Sequence, residues 1–147
     1  MATYCSTGFR RKILGPNSFE SIFNGGQIKI YSGPQPANAD AAVTGELLGT
    51  ITAPGGLRFV RSDHYVTNDP AQQWMLQGSA SGEAGWGRLV APDPDAGGAD
   101  LLLPRIDFAI GLDGDEPGDF QMLLPTLSLS PTTSIAMSAW WFMLPPF

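Results

Sequence analysis

The sequence predicts an all-β protein, a β-sandwich or jelly roll of about eight or nine short antiparallel strands, with an N-terminal arm and one short N-terminal helix. Three observations lead there. Eighteen glycines and thirteen prolines punctuate 147 residues at short intervals, and these residues end helices and turn strands. From Gln27 onward apolar residues recur with period two, which places them on one face of a pleated strand. Only 15% of the residues are charged, against about 25% in ordinary soluble domains.

Residues 1–16 show no clear periodicity and end in Gly15-Pro16, so they read as an extended arm. Asn17 with Glu20 three residues later resembles an N-cap and its reciprocal acidic partner. Phe19, Ile22 and Phe23 share one helical face and Gly25-Gly26 stops it, giving one short helix within 17–25. The span 26–144 is the expected sandwich. A strand at 27–31 is halted by Gly33-Pro34-Gln35-Pro36, because proline donates nothing to a ladder. Strands at 47–52, 57–61 and 73–80 follow, and 82–85 reads as a turn into a strand at 86–90. Pro104 divides 101–110 into two short edge pieces, 120–124 is a strand, 133–142 is the last, and 145–147 form a tail.

The formal charge of −6 argues against specific nucleic-acid binding, which needs a positive face to replace phosphate counterions. The charge is unevenly placed. Arg10, Arg11, Lys12 and Lys29 face one acid in residues 1–29, while eight of the fourteen acids lie between Asp93 and Asp119. Neither an apolar leader nor a stretch near the ~20 apolar residues of a membrane span is present, so a soluble chain with no membrane partner is expected.

No catalytic, cofactor-binding or metal-ligating residue emerges, and no enzyme is expected. His64 is the sole histidine and reads as a solvated loop residue, since acid–base work needs convergent partners. No serine sits on a Gly-x-Ser-x-Gly elbow. The single Cys5 permits neither an internal disulfide nor a cysteine zinc site, and in an arm it lacks the surroundings that activate a thiol. Asp113-Gly114-Asp115-Glu116-Pro117-Gly118-Asp119 sets carboxylates at alternate positions, as a hard cation would need. Pro117-Gly118 interrupts that spacing and no glutamate closes it, so the stretch reads as a solvated acidic turn.

The C-terminal run carries more. In a strand at 135–142, Trp140 and Phe142 fall on one face and Trp141 on the other. Adjacent large aromatics on opposite faces both need cover, one from the core and one from a neighbouring subunit, a swapped terminus or a second sheet of the same domain. Phe9, Arg10, Arg11, Lys12, Trp140, Trp141, Phe142 and Phe147 are therefore the expected interface residues, in a homo-oligomer or against another protein.

Two stretches resemble a pattern in small structural proteins of tailed bacteriophages. The first runs Phe19-Glu20-Ser21-Ile22-Phe23-Asn24-Gly25-Gly26-Gln27-Ile28-Lys29-Ile30-Tyr31-Ser32-Gly33-Pro34-Gln35-Pro36-Ala37-Asn38-Ala39-Asp40-Ala41-Ala42 and on through Thr44-Gly45-Glu46-Leu47-Leu48-Gly49-Thr50-Ile51-Thr52. The second is Ala80-Ser81-Gly82-Glu83-Ala84-Gly85-Trp86-Gly87-Arg88-Leu89-Val90, followed by Pro104-Arg105-Ile106-Asp107. The sequence departs at Gly87, where the pattern has a large aromatic, and in its aromatic tail. The resemblance implies a virion component of the capsid decoration or cement type, made in the bacterial cytoplasm and bound to the major capsid protein or to copies of itself. It brings no cofactor. A tail- or neck-associated protein, or a glycan-binding tail module with Trp74 and Trp86 as its platform, is the alternative it leaves open.

Overall fold

A computed structural model describes residues 3–115, 122–137 and 140–143. Their order is β1 (Tyr4–Cys5), α1 (Thr7–Ile13), α2 (Phe19–Phe23), β2 (Gln27–Ser32), β3 (Leu47–Thr52), β4 (Phe59–Ser62), β5 (Tyr65–Asn68) and β6 (Trp74–Gly78). There follow β7 (Gly82–Val90), β8 (Arg105–Leu112), β9 (Met122–Leu124), β10 (Ser128–Leu129), β11 (Ser134–Met137) and β12 (Trp141–Met143). The fold is all-β, with two sheets facing each other in the manner of a sandwich.

The larger sheet runs β1-β8-β7-β2-β3-β6-β11, with β10 added to β7 and β9 to β8, and the smaller runs β12-β5-β4. Every pairing is antiparallel except β8 with β9, which is parallel, a departure from the purely antiparallel expectation. Along the row Ile135↔Leu76↔Ile51↔Ile28↔Leu89↔Ile106, one face of the larger sheet is lined with aliphatic residues. Phe59 meets Trp74 with ring centroids 5.4 Å apart, and Trp140 meets Phe108 at 6.0 Å, so aromatic rings join the two sheets.

The N-terminal arm is not extended. Residues 7–13 form a helix capped by the Ser6 side chain, which accepts from the Phe9 amide at 3.1 Å. Only Phe9 and Ile13 mark its inner face, too few in seven residues to show a helical period, and Gly8 lowers its propensity. A Cβ on Gly8 would collide with the Leu102 and Leu103 carbonyls. The glycine therefore serves a close approach of helix to loop. The described residues thus carry two short helices, not one. The second is capped by Ser18 and Ser21 in a reciprocal pair, not by Asn17 and Glu20. The Asn17 amide turns instead to the Lys12 carbonyl.

Other boundaries also moved. Residues 82–85 belong to β7, where Gly82 lets Leu48 approach and Gly85 lets the Gly33 backbone approach. Pro104 ends the bends at 101–103, and β8 then runs unbroken between β1 and β7 as an internal strand. The expected last strand is split between β11 in the large sheet and β12 in the small one, so its two ends answer to different neighbours.

Candidate interaction surface

The expected interface residues divide by burial. Phe9, Trp140 and Phe142 are core residues, 1%, 1% and 3% exposed, and their assignment to an interface is corrected. Phe142 packs on Phe19 at 5.3 Å and on Phe9 at 6.1 Å, so both ends of the chain close one aromatic cluster. Trp141 and Met143 take the opposite face of β12, as the alternation requires. In register they align with Thr67 and Tyr65 of β5, and these with Val60 and Ser62 of β4. The outer face of the small sheet consequently presents Val60, Tyr65 and Met143, 37%, 37% and 50% exposed, around the half-buried Trp141. Phe147 lies outside the described residues.

Next to this face is an apolar groove of about 90 Å³. Phe9, Phe19, Val66 and Phe142 line it together with Ile13, His64 and Tyr65. Leu14, at the end of α1, is 87% exposed. Lys12 reaches Asp93 at 3.7 Å, and Arg10 donates to the Thr7 hydroxyl at 3.1 Å. Arg11 is exposed and forms no ion pair among the described residues. His64 sits in the β4–β5 turn as an exposed side chain 2.9 Å from Asp63. Burial pushes the Cys5 thiol up to about 11, with Arg10 only partly opposing, so it stays protonated at neutral pH.

The opposite face of the large sheet holds a feature that sequence reasoning missed. Arg88 and Asp107 face each other across β7 and β8, with Nε to Oδ1 at 2.6 Å and Nη2 to Oδ2 at 2.9 Å. Beside them Arg105 donates to both oxygens of Asp95 at 2.7 Å. Arg88, Arg105 and Asp107 are 0–1% exposed. Arg88 Nη2 also reaches the Ala41 carbonyl and Arg105 the carbonyls of Ala39, Ala41 and Gly98, while Arg88 Nη1 is buried without a partner among the described residues. Two loops are thereby tied down over Tyr31 and Trp86, whose rings stack at 4.8 Å. Burial raises the Asp107 carboxyl above its usual value, with Arg88 and Arg105 only partly offsetting it.

This cluster joins distant parts of the chain: Ala39 and Ala41 from the loop after β2, and Arg88, Arg105 and Asp107 from β7 and β8. The cluster acts as a clamp that sets loop position. A Cβ at Gly87 would lie 2.7 Å from the Phe108 ring, so the glycine lets that ring approach. Trp74 and Trp86, the rings of the supposed sugar platform, are 1% and 0% exposed. Of the acidic turn, Asp113 and Asp115 are described, and Asp115 Oδ2 already accepts from the Leu112 amide at 2.7 Å; residues 116–119 lie outside the described residues. Comparison with protein-family models, with curated proteins and with solved structures finds no match to this chain.

Proposed function

We propose that this chain is a structural protein of a tailed-bacteriophage particle, a capsid decoration or cement protein that binds and stabilises the head shell. The observation behind this reading is the outer face of the small sheet, where Val60, Tyr65, Trp141 and Met143 form an apolar surface on a well-packed body. The resemblance of the two sequence stretches to small phage structural proteins supports it from the other side. A scaffold whose buried ionic groups are spent on fixing its own loops suits a passive, shape-bearing role.

The mechanism is adhesion. At about 25 cal/mol per Å² of apolar surface, a few hundred Å² of contact yields several kcal/mol before association costs. Many copies engaging one shell make such contacts collectively strong.

Copy number tests the reading. Quantitative gel densitometry of purified particles should give hundreds of copies; about a dozen or fewer would assign the chain to the neck or tail instead. Tyr65→Ser, Trp141→Ser and Met143→Ser together should abolish attachment to shells while leaving the purified protein folded. Full attachment by that variant would remove the small sheet from the interface. Deleting 140–147 would not be diagnostic, since it takes Trp140 and Phe142 out of the core.

A further inference from the structure

The register of the larger sheet defines two ends of the molecule. At one end lie Gln27, Thr52, Val90 and Arg105, and at the other Ser32, Leu47, Gly78, Gly82 and Leu112. Helix α2 enters the sheet at Gln27, the β4–β5 hairpin follows the Thr52 end of β3, and the Ser6 amide bonds the Arg105 carbonyl. Both helices and the small sheet therefore sit at the first end. The eight-residue span of β8 separates the ends by roughly 25 Å at ~3.3 Å per residue.

Charge follows the same axis. Of the eight Lys and Arg residues, Arg10, Arg11, Lys12, Arg58 and Arg61 all lie on α1 or in and beside β4. Arg88 and Arg105 are buried in the clamp, and Lys29 donates to the Asp95 carbonyl. Glu46, Glu83, Asp113 and Asp115 are exposed at the opposite end, and none forms an ion pair among the described residues. At the first end Asp93, Asp69 and Glu20 pair with Lys12, Arg58 and Arg61 and Asp63 lies beside His64, so Arg10 and Arg11 are the cations left without an ion pair among the described residues.

Each end also has an apolar counterpart. The first end carries the groove between α1 and the small sheet, with Leu14 at the end of that helix. The acidic end carries Leu112, 40% exposed, in a turn fixed by the Asp115 amide to the Leu112 carbonyl at 3.0 Å and by the Asp115 carboxylate to the Leu112 amide. A positive φ of 100° at Gly114 completes this turn. A cavity of about 150 Å³ holds a benzene-sized guest, so the groove suits one branched aliphatic side chain.

We infer that the protein associates with itself head to tail: the Leu112–Asp115 turn of one copy docks on the apolar groove beside Arg10 and Arg11 of the next. Leu112 enters between Ile13 and Tyr65, and Asp113 meets Arg10 and Arg11. Because the two surfaces differ, the contact is heterologous and propagates into a closed ring or an open stack. The inference goes beyond the particle reading and needs no shell to be tested.

Sedimentation velocity of the purified protein is the experiment. Wild type should associate in low salt and dissociate in about 1 M salt, where screening shortens to ~3 Å from ~10 Å at 0.1 M. A head variant, Arg10→Glu with Arg11→Glu, should be at least tenfold weaker in association, and so should a tail variant, Asp113→Asn with Asp115→Asn. Asn retains an acceptor for the Leu112 amide, and unchanged thermal unfolding of both variants shows that they fold. Mixing the two in equal amounts should restore a one-to-one complex, because each lacks only one half of the contact. A wild type that stays monomeric at low salt, variants that associate undiminished, or a mixture that fails to recover would each overturn the inference.

Discussion

Arg88 and Asp107 stand directly opposite on neighbouring internal strands and share two hydrogen bonds, at 2.6 and 2.9 Å, with neither residue more than 1% exposed. Such a pair gains little over a well-packed apolar pair, but breaking it leaves an uncompensated buried charge. Asp107→Asn should therefore cost about 3–5 kcal/mol in urea unfolding. Arg88→Met combined with Asp107→Leu should cost clearly less. Equal losses would mean that the ion pair itself, and not the stranded charge, stabilises the fold.

The clamp also predicts a pH dependence. Burial alone would raise the Asp95 carboxyl, but the Arg105 hydrogen bonds, the Gly97 amide and the nearby guanidinium charges outweigh it and hold it below 3.8. A depressed carboxyl contributes stability that is complete above its unfolded value and is lost as pH falls through the folded one. Asp107 has the opposite sign, because its raised value lets protonation just above 3.8 favour the folded state. Urea midpoints should fall below about pH 3.8 in wild type, and Asp95→Asn should show a shallower fall there. Identical slopes would remove Asp95 from the account.

Trp140 and Trp141 should separate folding from binding. Trp140→Ala empties a core site and should cost about 3–5 kcal/mol. Trp140→Phe, which removes an indole N–H that has no hydrogen-bond partner, should cost much less. Trp141→Ala should cost no more than about 1 kcal/mol while weakening attachment to shells. A reversed order in differential scanning calorimetry would exchange the faces of β12.

Gly8 offers a test in which two effects oppose. Alanine is the better helix former by about 1 kcal/mol, so Gly8→Ala would stabilise an isolated helix. Here the added Cβ meets the Leu102 and Leu103 carbonyls, and backbone atoms cannot rotate away as a side chain can. The substitution should lower the melting temperature. A rise would mean that the loop at 101–103 yields readily.

The all-β class, the helix around Phe19 and Ile22, and the strands at Ile28 and Ile51 were legible in the sequence because each rests on local pattern: period and Gly or Pro stops. The alternation around Trp141 likewise predicted one buried and one outward aromatic face. Tertiary structure decided the rest. Helix α1 has too few turns to display a period and owes its place to Phe9 in the aromatic cluster and to Gly8 against a loop. Pro104 only borders β8, and whether β8 is an edge or an internal strand depends on Tyr4, Cys5 and β7 coming alongside it. Arg88, Asp107, Arg105 and Asp95 look like ordinary surface charges until strand register sets the first two opposite each other and two loops close over them. Charge placement along the molecular axis is likewise a consequence of which strand ends lie together. Period and turn chemistry act over a few residues, whereas burial, charge pairing and surface polarity depend on residues brought together from distant parts of the chain.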